Sequence, residues 1–204
     1  MKVGIGRFLW LAVVVAASPY VLGQTVEARI QAFARQQYPN DAAMQRFVYN
    51  EQIAACRYML QVKDAEVKGI AVREYPADYS MQKFTYDQQA AAKAYMGQVR
   101  DPDVKKIAVR EYPADYSMQK FSYDQQAAAK AYMGQVQDAE VKRIALREYP
   151  ADYSMQKFSY DQQAAAKAYM ATLPNSAAKR NAVREYPADY TMQKFTHDQA
   201  AGGE

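Results

Sequence analysis

Apolar and polar positions along this chain follow two periods at once, a helical one and a much longer one. From Arg73 to Met96 the sequence reads REYPADYSMQKFTYDQQAAAKAYM, and nearly the same string restarts at Arg110, at Arg147 and, shortened, at Arg184, each time 37 residues on. A more divergent copy, RQQYPNDAAMQRFVYNEQIAACRYM, runs from Arg35 to Met59. Its Tyr38-Pro39, Met44, Phe47 and Tyr49 stand 37 residues before Tyr75-Pro76, Met81, Phe84 and Tyr86. A fixed period of this length marks a repeat architecture, in which each unit buries its apolar face only against its neighbours.

Inside one unit, Met81, Phe84, Gln88, Ala91 and Tyr95 follow at steps of 3, 4, 3 and 4, the spacing of one helix face. Tyr79, Tyr86 and Ala90 make a second stripe at steps of 7 and 4. Two apolar stripes on one helix predict neighbours on two sides. The first stripe is expected to face the core, with Phe84 and its counterpart Phe121 as buried rings and Tyr95 filling the space between units. Asp78 precedes the helix and suits its N-cap, accepting from the unpaired amides of the first turn; Asp41, Asp115, Asp152 and Asp189 hold the same place. Gly97 and Gly134 suit a left-handed helix stop.

A shorter helix completes the unit. In DPDVKKIAVREY, Asp101 is placed to cap, Pro102 takes the first helical position, and Val104, Ile107, Ala108 and Tyr112 share a face. Asp64 and Asp138 start the equivalent segments, and Thr25 to Tyr38 is the first of them, with Val26, Ile30, Phe33 and Ala34 on one side and Pro39 as its stop. The fold expected is therefore all-α, with tandem helical hairpins stacked as a short α-solenoid over residues 24–204. Short helices fall near 25–38, 64–75, 101–112, 138–149 and 175–186, and long ones near 41–59, 78–96, 115–133, 152–170 and 189–200. Neither helix is expected to hold alone in water, so stability must come from packing. In the last copy Ala178 and Asn181 replace Val141 and Ile144, as expected of a more polar end unit, and His197 replaces Tyr160, which reads as a surface substitution.

The first 23 residues have a different character. Lys2 and Arg7 precede the apolar run FLWLAVVVAA, and Val21-Leu22-Gly23 offers a cut before Gln24. This is the layout of a secretory signal peptide over residues 1–23. The alternative is an uncleaved membrane anchor, but Phe8 to Gly23 is 16 uncharged residues, short of the roughly 20 that span a bilayer. The expected location is periplasmic or extracellular, with membrane contact only through an uncleaved N-terminus.

Composition narrows the chemistry. Half the residues are apolar, which excludes a disordered chain. The net charge is +4, of which Lys2 and Arg7 supply two, so the evenly spread remainder does not suit nucleic acid. Cys56 is the only cysteine; it falls in a helix and is expected to be a buried, inert thiol. No C-x-x-C, H-E-x-x-H or phosphate-binding glycine loop occurs, and no metal or cofactor is expected. Glu74 and Asp78 recur as a carboxylate pair, but capping explains Asp78 and solvation explains Glu74. Catalysis needs one asymmetric constellation. Near-identical repeated surfaces suit multivalent binding instead.

The 18 tyrosines are the residues most suited to an interface, combining a large apolar face with a polar tip. With the first stripe in the core, a row of Tyr79, Tyr116 and Tyr153, flanked by Tyr86, Tyr123 and Tyr160, is expected to stay partly exposed. It would engage an extended protein, peptide or glycan. The segment carrying Asp78, Tyr79, Met81, Gln82, Gln89, Ala94 and Tyr95 resembles a short helical motif of uncharacterised bacterial exported proteins. That resemblance implies a bacterial envelope setting and names no activity. The function expected is a non-enzymatic binding or scaffold role, followed by an anchored envelope protein and, distantly, an enzyme.

Overall fold

Each long helix begins where an aspartate closes its first turn. Asp41, Asp78, Asp115, Asp152 and Asp189 accept from the amides of Met44, Met81, Met118, Met155 and Met192 at 2.9–3.0 Å, as expected of caps. The preceding Tyr-Pro turn is held from the same helix. Gln82 Nε2 donates to the Tyr75 carbonyl at 2.7 Å, and Gln119, Gln156 and Gln193 repeat this bond on Tyr112, Tyr149 and Tyr186.

The computed structural model describes residues 25–202, and the expected signal peptide over residues 1–23 lies outside them. Short helices α1 (Val26–Gln37), α3 (Ala65–Glu74), α5 (Pro102–Glu111), α7 (Ala139–Glu148) and α9 (Ala177–Glu185) alternate with long helices. The long ones are α2 (Ala42–Gln61), α4 (Tyr79–Gln98), α6 (Tyr116–Gln135), α8 (Tyr153–Thr172) and α10 (Tyr190–Ala201). Among the described residues there is no strand. Each short helix packs on the long helix that follows it, and each long helix packs on the next long helix. The result is a layer of long helices with short helices on one side.

Successive long helices run parallel and out of step. Gln89, in the middle of α4, bonds to Asp115 and to the amide of Tyr116, at the start of α6. Ten residues separate Gln89 from the start of its own helix at Tyr79, so each long helix is advanced by roughly 15 Å along its axis relative to the one before. The apolar core is correspondingly small and divided. Met96 of α4, Val104 and Ala108 of α5 and Tyr123 of α6 form one cluster, with Tyr153 of α8 packed against it. Met133, Val141, Ala145 and Tyr160 form the same cluster one unit on, with Tyr190 against it. Each cluster draws on consecutive units, so no unit has a core of its own.

The buried stripe of the long helix differs from the one expected. Gln82, Thr85, Gln89, Ala92 and Met96 are buried, one residue out of phase with the Met81, Phe84, Gln88, Ala91 and Tyr95 stripe. Phe84 and Phe121 are 53% and 57% exposed, so they are not core rings. Tyr95 is likewise exposed. The reason lies in the polar bonds above: the turn and the neighbouring cap must be reached from inside the joint, which turns both glutamines inward. Phe121 precedes Tyr123 by two residues and so points about 200° away from it around the helix. Tyr123 packs on α5; Phe121 therefore leaves the layer on the side opposite the short helices.

Gly97 and Gly134 do not end their helices. The helices continue to Gln98 and Gln135 and stop at Val99 and Val136, which turn to an extended backbone at ψ 143 and 141. A Cβ at either glycine would meet nothing within 4 Å, and Ala171 occupies the equivalent place in α8. Gly97→Ala and Gly134→Ala are each expected to stabilise the protein by about 0.5–1 kcal/mol, whereas Met133→Ala should cost about 2–5 kcal/mol. Chemical denaturation of the three variants checks the order; a destabilised glycine variant would contradict the helical assignment at that residue.

Candidate functional site

Of the six tyrosines expected to form a partly exposed row, Tyr123 and Tyr160 are buried and the other four are half-buried. Tyr123 and Tyr160 are 9% and 8% exposed. Their hydroxyls accept from the backbone amides of Asp101 and Asp138, and their rings meet Tyr95 and Tyr132 edge-on. Tyr86 is half-buried and meets Tyr58 in the same way. Tyr79, Tyr116 and Tyr153 are half-buried at the joints. The short helices thus cover the Tyr79/Tyr86 side of the layer, and the opposite face is the open one. His197 also turns inward: it is buried and packs edge-on to Tyr169, taking the place of Tyr160. It is not a surface substitution. Cys56 is buried, as expected.

Two polar clusters recur at the joints. In the first, Tyr95 donates from its hydroxyl to Asp124, which also pairs with Lys120, and the Lys120 ammonium lies 4.6 Å from the Tyr95 ring centre. Tyr58, Tyr132 and Tyr169 make the same arrangement with Asp87/Lys83, Asp161/Lys157 and Asp198/Lys194. The hydrogen bond to a carboxylate raises the Tyr95 phenol above its ordinary value. Lys194, His197 and Tyr169 hold the Asp198 carboxyl down at about 2.

In the second cluster a lysine closes the joint. Lys93 bridges Asp64 and Glu66 at 2.8 and 2.7 Å and lies over the Tyr116 ring, while the Tyr116 hydroxyl donates to Glu66. Lys130 repeats the lysine's place with Asp101 and Tyr153, and Lys167 does so with Asp138, Glu140 and Tyr190. The lysine hydrogen bond holds the carboxyls of Asp64, Asp101 and Asp138 below the usual range. Each of these carboxylates has a structural partner. Among the described residues, no group of three or more His, Cys, Asp or Glu is arranged to hold a metal ion.

What remains free is the open face of the long helices. Phe47, Phe84, Phe121, Phe158 and Phe195 are 53–57% exposed and stand 37 residues apart. Gln88, Ala91 and Tyr95 extend the same face along α4, and the equivalent residues do so along α6 and α8. The sequence placed this stripe correctly on one side of the helix but assigned it to the core, because its spacing is that of a buried face. The distinguishing signal is the recurrence of Gln82 and Gln89 in phase with Ala92 and Met96, a second 3-4 stripe whose amides are kept in the first four copies.

No family model matches the chain, and no curated protein or solved structure is significantly similar to it. Among the described residues no helix is long and apolar enough to cross a membrane.

The joint carboxylates set an acid limit on stability. Their folded values lie below the unfolded ones, so their contribution is present above the unfolded value and is lost as pH falls through the folded value. The window opens below the ordinary Asp value of 3.8 and extends to about 2, the value held by Asp198. Melting temperature is expected to be nearly level from about pH 5 to 8 and to fall steeply between about pH 4 and 2. About 1 M salt should flatten that fall, because these ion pairs are partly exposed. Thermal melts across this range check it; a level profile down to pH 2 would mean the clusters add nothing.

Proposed function

We propose that this protein is an exported, non-enzymatic scaffold that binds an extended polypeptide along the phenylalanine row. The observation that carries the reading is the set of five half-exposed rings, Phe47, Phe84, Phe121, Phe158 and Phe195, repeated on a face that no short helix covers. A run of exposed large apolar side chains on a stable surface is a mark of an interaction site. The structural use of the acidic side chains at the joints supports a binding role over catalysis. Export rests on the N-terminal apolar run after Lys2 and Arg7.

A peptide fits this face better than a glycan. The rings are Phe, and the neighbouring Tyr95, Tyr132 and Tyr169 hydroxyls are committed to Asp124, Asp161 and Asp198, leaving few free polar tips for sugar hydroxyls. Adjacent long helices lie roughly 10 Å apart and are offset by roughly 15 Å, so successive rings stand roughly 18 Å apart. An extended chain rises about 3.3 Å per residue, so the partner is one with an apolar side chain every five or six positions. Each contact is weak, and the affinity comes from engaging several at once.

The test is Phe84→Ser, Phe121→Ser and Phe158→Ser, singly and together, with binding read by fluorescence anisotropy. The probe is a labelled 20-residue peptide carrying Leu at every fifth or sixth position, and its Leu-to-Ser version is the control. The single variants should weaken binding several-fold and the triple variant by more than about tenfold, with unchanged melting. Equal binding by wild type and triple variant, or equal binding of both peptides, would remove this reading.

A further inference from the structure

The first joint is built differently from the other three. Position 93 and its copies 130 and 167 are lysines that lie across the joint and close it. At the first joint that position is Cys56, too short to cross and without charge. Of the two acidic positions beside the lysine, Asp64, Asp101 and Asp138 keep an acidic counterpart in Glu27, whereas Glu66, Asp103 and Glu140 have Arg29 as theirs. Further along the long helix, Leu60 stands where the copies have Gly97, Gly134 and Ala171, and Ile53 where they have Ala90, Ala127 and Ala164. An acidic, lysine-locked seam has become a basic, apolar one.

An open groove of about 1060 Å³ lies there, between α1 and α3 with α2 and α4 as its floor. Such a volume is ample for a small organic ligand. Ile53, Met59, Leu60 and Val72 give it apolar walls, and Leu60 is 74% exposed, which an isolated surface leucine at a packed joint has no structural reason to be. Arg29, Arg57 and Lys68 line the same groove against one acid, Glu27. None of these three cations pairs with a carboxylate among the described residues, although lysines at the other joints are paired.

We propose that this groove binds a single-chain amphiphile with an anionic head, a free medium-chain carboxylate. The acyl chain lies along Ile53, Met59, Leu60 and Val72, and the carboxylate meets Arg29, Arg57 and Lys68, whose positive charge complements it. The site is independent of the phenylalanine row, which lies on the opposite side of the long-helix layer.

Calorimetric titration with dodecanoate, below its micelle concentration, tests this on the full chain. One dodecanoate per chain is expected, with dodecyltrimethylammonium at least tenfold weaker and butyrate without detectable heat. The paired substitution Cys56→Lys with Arg29→Glu rebuilds the joint in the form the other three already have. It should lower dodecanoate affinity at least tenfold without lowering the melting temperature. The Phe84→Ser, Phe121→Ser, Phe158→Ser variant should bind dodecanoate as wild type does. Equal binding of the two amphiphiles, several dodecanoates per chain, wild-type affinity in the rebuilt joint, or association with anionic lipid vesicles in place of dodecanoate would each overturn the proposal.

Discussion

A buried glutamine joins each repeat to the next, and the rest of the structure follows from how it is satisfied. Gln89 donates from Nε2 to the capping carboxylate of Asp115 and accepts at Oε1 from the amide of Tyr116. One amide thus serves an acceptor and a donor at the start of the neighbouring helix, where backbone groups have no partner within their own helix. Gln52 does the same for Asp78 and Tyr79, and Gln163 for Asp189 and Tyr190. Gln126 bonds to Asp152 and to the amide of Ser154. A leucine here would leave a buried cap without its partner, at a cost of about 1–3 kcal/mol. Because the bond has one geometry, it also fixes the register of the stack, which an Ala-rich seam alone would leave free to slide.

That register determines what is covered and what is not. Advancing each long helix by half its length brings Met96 and Tyr123 together over Val104 and Ala108, so the small apolar clusters form only where units meet. Stability then grows by interface and not by unit. With both glutamines turned inward, the phenylalanines are carried to the outer face, and Tyr123 on the inner side is consumed in an edge-on pair and as a hydroxyl acceptor for a backbone amide. The last long helix has Ala200 at the bridging position, so α10 offers no amide to grip a further helix in this way.

Much of this was legible in the residues. The helical repeats, the Tyr-Pro turns, the aspartate caps and the Val104/Ile107/Ala108 face of the short helix all stand in the structure as the residues imply, since each rests on local chemistry repeated several times. The orientation of the long helix was not legible. Two stripes one residue apart have the same spacing, and the more apolar of them, with Phe84 and Tyr95, lies outside. Hydropathy ranks Phe above Gln for burial, but it does not count the hydrogen bonds that Gln82 and Gln89 make across the turn and the joint. Gly97 misled for a similar reason: glycine permits a left-handed stop without requiring one. His197 reads as a surface residue in the sequence because the ring it packs against, Tyr169, is a long-range neighbour.

The most direct test of the glutamine bridge is a double-mutant cycle on Gln89 and Asp115, read by urea denaturation of the wild type, Gln89→Ala, Asp115→Ala and the double variant. Both residues act on the same helix start, so the two losses should overlap, with a coupling energy of about 1 kcal/mol or more. Losses that add to within about 0.3 kcal/mol would mean that the amide and the cap act independently, and that something other than this bond holds the repeats in register.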